Sequence, residues 1–571
     1  MVEVQLLQKL CIRNIIKNWS YFIGTENFTL PEQYLLDFLE CCVENNEISM
    51  IHQVLLSPHL LLDLVETKDF DVTLYTSTRL LVDNNIPIHN EISKIFVEDA
   101  AYKKKLGKKQ DSSRVIKVCE FLMDCGWHKA AGELLDHLYQ TINPLVERHN
   151  VLVVLTHLIS TNIAECKFTQ AKEAFVKAST FYDTLKDRGF NAGLLYAEES
   201  YRHYCLSNFA EADDWSGRAL LEVNETLDTA SCITVLRRTA KVYINTRRFG
   251  RAEALIRHAV ELAGSFYGTR HPLYADTLQD YGFCLLHLDL VSECVEVYSK
   301  AVEIIDEVFG ENNIKTAVAH EDLAYATYVY EYNCGDYEKS LEHSNISVRI
   351  VNKLLDPDHL LHASTSRLRA LILEELAFEE TSCKKKDRLL REAQELHNKS
   401  LKLCRSVLGE DNIQTARHYG NLGRLYQSMK MYKSAEKMHR RAIRIKESLL
   451  GPDNFELALS LGHLASLYNY DMRRPDDALP LYLRSIDIAL KMFGPAFSGL
   501  EYDYRGLIYL FSTTNQTEES IKYLEKLQDW ATLRDEGAGH PAQGTSLGSD
   551  LQTGKSTLEV VNSVIVITSP E

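Results

Sequence analysis

The sequence predicts an all-α chain, built as a solenoid of helical hairpins. Three observations carry that reading. A small-residue signature recurs with a period of about 42 residues. Apolar residues fall at helical spacing on both sides of a short turn in each period. Proline is scarce, at 12 residues, and long alternating strand patterns are missing. With 571 residues the chain is too long for one compact core, so an elongated array is expected.

The clearest unit lies in residues 409–494. Leu422, Leu425, Tyr426 and Met429 share one helical face. After a turn at Lys430-Met431, a second face carries Tyr432, Ala435, Met438, His439 and Ala442. Gly423 costs its helix about 1 kcal/mol against alanine. Close approach is the return: Gly423, Ala435 and Ala442 let paired helices pack at about 8–10 Å. Gly451-Pro452-Asp453-Asn454 then breaks the second helix. The next half repeats the plan from Gly462 through Tyr468 to Phe493-Gly494-Pro495.

The second-helix signature continues in both directions. It reads Trp127/Ala130/Leu134/His137, Phe168/Ala171/Phe175/Ala178, Phe209/Ala212/Ser216/Ala219 and Phe249/Ala252/Ile256/Ala259. It goes on as Val291/Cys294/Tyr298/Ala301, Tyr337/Ser340/Ser344/Ser347, Leu390/Ala393/His397/Ser400 and Tyr432/Ala435/His439/Ala442. Pro475/Ala478/Tyr482/Ser485 and a weak Thr517/Ser520/Leu524/Leu527 complete the series. A fixed period of paired helices means an α-solenoid. Leucine, glycine or alanine, and tyrosine in the first helix, with alanine in the second, is the tetratricopeptide pattern. The long hairpins resemble the repeats of kinesin light chain.

Domain boundaries follow from where the pattern starts and stops. Residues 1–45 hold two amphipathic helices outside the repeat. The first carries Leu6, Leu7, Leu10, Cys11, Ile15 and Ile16. The second opens at Thr29-Leu30-Pro31-Glu32, a cap followed by a first-turn proline. Residues 46–113 read as irregular helices, ending in a polar linker from Lys103 to Ser113. The solenoid spans 114–533, with surface insertions at Glu331–Asp336 and Ser382–Asp387. Residues 534–571 form a tail expected to be disordered. Within it, Val560–Ile567 is a short β-prone run.

The composition narrows the function classes. The formal net charge of −17 argues against nucleic-acid binding and against a basic membrane-surface protein. No apolar run is long enough to span a bilayer, and no basic leader precedes an apolar stretch. Thirteen cysteines then read as reduced cytosolic thiols. No C-x-x-C pair is present, so zinc is not expected. A nucleophile elbow, a glycine-rich dinucleotide loop and a His-Glu-x-x-His motif are all missing. His320-Glu321-Asp322 lacks the second histidine, and Gly554-Lys555-Ser556 lacks the spacing of a phosphate loop. The expectation is a non-enzymatic protein without a cofactor.

The functional surface should then be the inner wall, lined by the first helix of each hairpin. Registering the repeats on Gly282, Ala324, Gly423, Ala465 and Ile508 places the candidates. Asp276, Gln279, Asp280, Glu321 and Asp322 form an acidic stretch. Arg417, Asn421 and Arg424 follow on one helix, and His463, Asn469 and Arg505 come from the next two repeats. For any one of them a solvated helix face is the competing explanation. Together they pair a zone of arginine and asparagine donors with a zone of carboxylates. The first can hold a terminal carboxylate and the second a ligand arginine.

Four strings, at residues 316–329, 415–429, 458–472 and 498–508, are closely similar to the amyloid protein-binding protein 2 family. The resemblance is strong over 240–512 and looser in the N-terminal third, as in a distant relative of the vertebrate form. It implies a substrate-recognition subunit of a cullin-2–elongin E3 ubiquitin ligase that reads C-terminal degrons of Arg-x-x-Gly type. It also implies binding of the amyloid precursor protein tail and a link to microtubule-based transport, with a cytoplasmic and nuclear location. A trafficking adaptor tying membrane-protein tails to a motor is the alternative. Against the family's elongin box, Leu7, Cys11 and Ile15 match, with Leu6 in place of the usual hydroxyl residue. Against its cullin box, Leu30, Pro31 and Tyr34 match, apart from the aromatic. The implied partners are elongin C with elongin B, cullin-2 and substrate C-termini.

Overall fold

The computed structural model describes residues 11–17, 34–66, 72–107, 109–185, 190–332, 336–535 and 555–566. Among them there are helices and turns but no strand. A helical segment at 11–17 is followed by α1 (Leu35–Glu44), α2 (Ile48–Leu55), α3 (Pro58–Leu64), α4 (Val72–Asp83) and α5 (Ile88–Lys105). These helices cap the start of the array: α3 packs on α6 (Ser112–Asp124) and α5 on α7 (His128–Thr141). Lys103, Lys104 and Lys105, expected in a linker, instead form the last turn of α5, where cations complement the helix dipole.

Ten hairpins follow. The first pairs α6 with α7; the second α8 (Arg148–Ala164) with α9 (Phe168–Asp183); the third α10 (Gly193–Cys205) with α11 (Phe209–Leu221). Next come α12 (Thr229–Asn245) with α13 (Phe249–Tyr267), and α14 (Pro272–His287) with α15 (Val291–Phe309). The sixth and seventh are α16 (Ile314–Glu331) with α17 (Glu338–Leu354), and α18 (Leu361–Glu379) with α19 (Cys383–Leu408). The last three are α20 (Ile413–Ser428) with α21 (Tyr432–Leu450), α22 (Phe455–Ser466) with α23 (Pro475–Phe493), and α24 (Leu500–Thr513) with α25 (Thr517–Asp535). Lys384 to Asp387, expected in a surface insertion, lie in the first turns of the 26-residue α19.

The fifth and eighth hairpins are closed by the small-residue contact that the sequence predicts. A Cβ built on Gly423 would stand 2.6 Å from the buried His439 ring, and one on Gly282 would stand 2.4 Å from Tyr298. Second helices end at glycines such as Gly409, Gly451 and Gly494, whose φ values of 85°, 80° and 79° only glycine adopts easily.

The array coils until it meets itself. Asn313 Nδ2 donates to the Cys125 carbonyl at 2.9 Å, and Asn412 Nδ2 to the Cys205 carbonyl at 3.2 Å. His359 Nε2 is 3.1 Å from the Ala164 carbonyl. Asp289 receives the Ser498 amide and the Arg534 guanidinium, both at 2.9 Å. The crossings made by Asn313, His359, Asn412 and Ser498 join residues 188 to 209 positions apart, so one revolution takes between four and five hairpins, and Arg534 reaches Asp289 across 245 positions. Consecutive first helices touch along the inside.

The tail departs from expectation. Residues 557–566 form a helix, α26, docked outside on α11 and α13. Val560, Val561 and Val564 are buried there, and Thr557 Oγ1 lies 2.9 Å from His258 Nε2. The spacing of those valines suits a helix face, and tertiary burial overrides local β-propensity. Glycine replacement tests the close approaches directly. Gly423→Ala improves helix propensity yet should lower the unfolding free energy by about 1–3 kcal/mol through overpacking against His439. Chemical denaturation would read it, and a more stable variant would contradict the packing account.

Candidate functional site

The coil encloses a lumen of about 2220 Å³. Its lining includes Glu198, Arg238, Asp276, Asp280, Asp322 and Arg417, all on first helices. Charges in such a place are desolvated, so each must be paired or must titrate away from its usual range.

Most of the wall residues expected to bind a ligand are already paired within the wall. Asp280 accepts from Arg237 Nε at 2.7 Å and from the Lys241 ammonium. Asp276 holds Lys315 Nζ at 2.8 Å. Arg417 donates through Nε and Nη2 to Glu456 Oε1 at 2.9 and 2.5 Å, and Lys446 holds the other oxygen at 2.8 Å. Those two cations overcome burial and keep the Glu456 carboxyl well below the usual range. Arg424 Nη2 donates to Glu375 Oε1 at 2.8 Å and stands 3.5 Å from Glu374 Oε2. Tyr328 and Ser428 complete that cluster at 3.0 and 2.8 Å. The expectation that Arg417 and Arg424 offer free donors is therefore corrected: both are committed to carboxylates on neighbouring repeats.

Three further candidates have structural duties. Asn469 sits in a π-turn, Leu467–Asp471, that continues α22, and its Nδ2 donates to the Gly506 carbonyl at 2.9 Å. That bond pins the ninth hairpin to the tenth. His463 packs between His439 and Tyr502, and burial, then Arg424, keeps its imidazole neutral. Arg505 pairs with Glu501, one turn back on the exposed face of α24, at 2.7 Å. Asn421 differs, because its buried Nδ2 has no acceptor among the described residues.

Glu321 and Asp322, like the lumen-lining Asp124, have no cation within ion-pair distance among the described residues, although Arg367 and Lys241 act on the first two from further away. Among the described residues Glu321 accepts only from Ser364 Oγ at 2.9 Å, and Asp322 only from Gln279 Nε2 at 3.3 Å. Burial, then the Asp322 charge, lifts the Glu321 carboxyl to about 7. Burial also lifts Asp322 to about 7, with Asp280 adding to the rise. A cation brought into this zone would be taken up by carboxylates that have no other cation within ion-pair distance among the described residues. Among those residues no group of three His, Cys, Asp or Glu could hold a metal, and no helix is long and apolar enough to cross a membrane.

Sequence reasoning passed over two parts of this wall. Arg238 lies 3.4 Å from the Tyr201 ring centre with Glu198 alongside, in repeats where no register was set. Arg367, on α18, was hidden because the step from Tyr337 to Leu390 breaks the period. At the N-terminus, Leu7, Leu30 and Pro31 lie outside the described residues. Cys11 is exposed, Ile15 half-buried and Tyr34 exposed, whereas Ile12 and Ile16 are buried in the core.

Comparison with known proteins agrees with this architecture. Tetratricopeptide-repeat models match residues 383–448 and 457–497. Amyloid protein-binding protein 2 of Mus musculus is 43% identical over 420 residues, covering 73% of this chain and 72% of that one. The Rattus norvegicus protein of the same name matches to the same extent. A Rap protein solved in complex with competence and sporulation factor aligns at 13% identity and a TM-score of 0.47, over 67% of this chain and 98% of its own.

The raised carboxyls make a pH prediction. Their folded-state affinity for a proton exceeds the unfolded value, so the stability they contribute is present below about pH 4 and is lost as pH rises through about 7. Glu321→Gln combined with Asp322→Asn should therefore raise the melting temperature at pH 8 and leave it unchanged at pH 4. An equal shift at both pH values would show that the two carboxyls are not strained.

Proposed function

The chain belongs to the amyloid protein-binding protein 2 family, and we propose that it is the substrate-recognition subunit of a cullin-2–elongin ubiquitin ligase. In this reading it binds protein termini of Arg-x-x-Gly type in the lumen of its coil. The observation that carries the reading is the sorting of the inner-wall charges. Asp276, Asp280, Arg417 and Arg424 are satisfied by neighbouring repeats, while Glu321 and Asp322 have no cation within ion-pair distance among the described residues. A ligand arginine can be held by such a pair in a fork geometry, within walls that exclude water and strengthen the contact. The tetratricopeptide scaffold supplies curvature and register and needs no catalytic group. Transfer of ubiquitin would belong to the machinery bound at the other end.

The N-terminal segment supports that division. Ile12 and Ile16 anchor its helix to the cap, Ile15 is half-buried against the same core, and Cys11 is exposed. From the sequence spacing of Leu7, Cys11 and Ile15 we infer helix-in-groove docking of this segment on elongin C. Tyr34 stands exposed at the entry to α1, as a cullin-2 contact requires. The relatives' name, which records binding to amyloid protein, favours the second reading, in which the lumen takes membrane-protein tails for microtubule-based transport. Both readings place the chain in the cytoplasm, with the ligase role extending to the nucleus.

Two experiments test the proposal. Leu7→Ser with Cys11→Phe should abolish recovery of elongin C from co-expressing cells while leaving the melting curve intact. Undiminished recovery would remove the ligase assignment through this box. Glu321→Lys should weaken a peptide ending Arg-x-x-Gly by roughly tenfold or more, since losing one partner of a buried pair costs about 2 kcal/mol or more. Unchanged affinity would place the basic side chain elsewhere.

A further inference from the structure

The acidity of the chain is not spread evenly. α19 holds eight lysines and arginines against three carboxylates, and α21 six against two, in a chain whose net charge is −17. On α19, Lys384, Arg388, Arg391, Lys399 and Lys402 are exposed and make no ion pair among the described residues. On α21, Lys433, Lys437 and Arg444 are in the same state. None of these side chains lines the lumen.

The repeat register sets these charges in two rows. Arg391 and Lys433 each follow the first signature residue of their helix, Leu390 and Tyr432, and Lys402 and Arg444 stand 11 positions further on. The same two places in the ninth hairpin hold Asp476 and Asp487. In the sixth they hold Glu338 and Arg349, and Arg349 is paired with Glu311 at 2.7 Å. The two basic helices are neighbours. Arg405 of α19 and Arg441 of α21 share the Glu410 carboxylate, at 2.9 and 2.6 Å, and Leu401 and Met438 pack on one apolar cluster. Like charges three or four positions apart destabilise a helix. Lys384, Arg388 and Arg391 follow at spacings of four and three, and Lys433 and Lys437 at four. Glu392, four positions beyond Arg388, is drawn off to Arg369 on α18 at 3.0 Å. Asp387 and Glu395 are exposed on α19 and form no ion pair among the described residues. The repulsion along each row is left for an outside anion to relieve.

We propose that the outer faces of α19 and α21 dock an extended acidic segment of a partner protein. Lys384 and Lys402 lie 18 positions apart on one helix, which is about 27 Å at 1.5 Å per residue. An extended chain covers about 3.3 Å per residue, so about eight residues span the row. A segment of that length stays on the patch. A membrane or a nucleic-acid duplex reaches beyond it, onto hairpins that carry carboxylates in the same places, within the screening length of about 8–10 Å, and is repelled there. Charge complementarity of this kind steers association and selects the partner more than it adds affinity. The surface lies outside the lumen and does not depend on what the lumen binds.

The test follows a labelled oligoglutamate of about eight residues by fluorescence anisotropy on the full chain. Binding is expected, and it should weaken as salt rises because the pairs form in solvent. Arg391→Glu, Lys402→Glu, Lys433→Glu and Arg444→Glu combined should weaken it by about tenfold or more, each exposed pair contributing a modest share. The same variant should hold a peptide ending Arg-x-x-Gly as the wild type does. Should the combined variant melt early, Arg391→Gln with Lys433→Gln carries the same comparison with a smaller loss. Oligoglutamate binding undiminished in both variants would overturn the assignment to α19 and α21. Tighter binding of phosphatidylcholine vesicles carrying about one-quarter phosphatidylserine, or of an oligothymidylate of equal charge, lost in the same variants, would overturn the choice of an acidic protein segment. A wild-type chain that binds none of the three probes would overturn the surface altogether.

Discussion

A coil that returns on itself must satisfy the polar backbone of two exposed turns at every crossing. Here the inter-hairpin loops supply the donors. Asn313, His359 and Asn412 each reach a carbonyl in a hairpin turn one revolution earlier, and Asp289 gathers the last crossing around Ser498 and Arg534. Because those contacts hold successive turns of the coil together, first helices from distant repeats line one shared lumen. The desolvation that shapes every charge on the wall follows from that enclosure.

Enclosure divides the wall into two kinds of charge. Pairs such as Arg417 with Glu456 and Arg424 with Glu375 bind repeat to repeat and hold the register of the stack. Removing one partner from such a pair strands the other and costs more than the pair is worth. Among the described residues Glu321, Asp322 and Asp124 have no such tie, and burial raises all three carboxyls. Strain of this sort gathers where a ligand is meant to relieve it, and the scaffold's paired charges keep it in place. The outer surface carries a separate device, α26, which returns from the end of the chain to α11 and α13.

The hairpins were legible because their closing contacts are local. Gly423 meets His439 within one hairpin, so the small-residue pattern and its period can be read directly. Wall chemistry was only partly legible. Which residues face inward follows from register, but whether Arg424 is free depends on Glu374 and Glu375 about fifty positions earlier. That pairing leaves no mark in a single sequence. Arg367 was missed because the stretched step before Leu390 obscured the register of α18, and α26 because a run of valines reads as strand until its burial partners are known.

The account's central claim is that a ligand meets the unpaired charges and leaves the paired ones alone. A structure of the full chain with a bound peptide ending Arg-x-x-Gly tests it most directly. The account predicts the peptide arginine against Glu321 and Asp322 inside the lumen, with the Arg417–Glu456 and Arg424–Glu375 pairs intact. A peptide held by Arg417 or Arg424 after those pairs break, or one bound on the outer face of the coil, would contradict it.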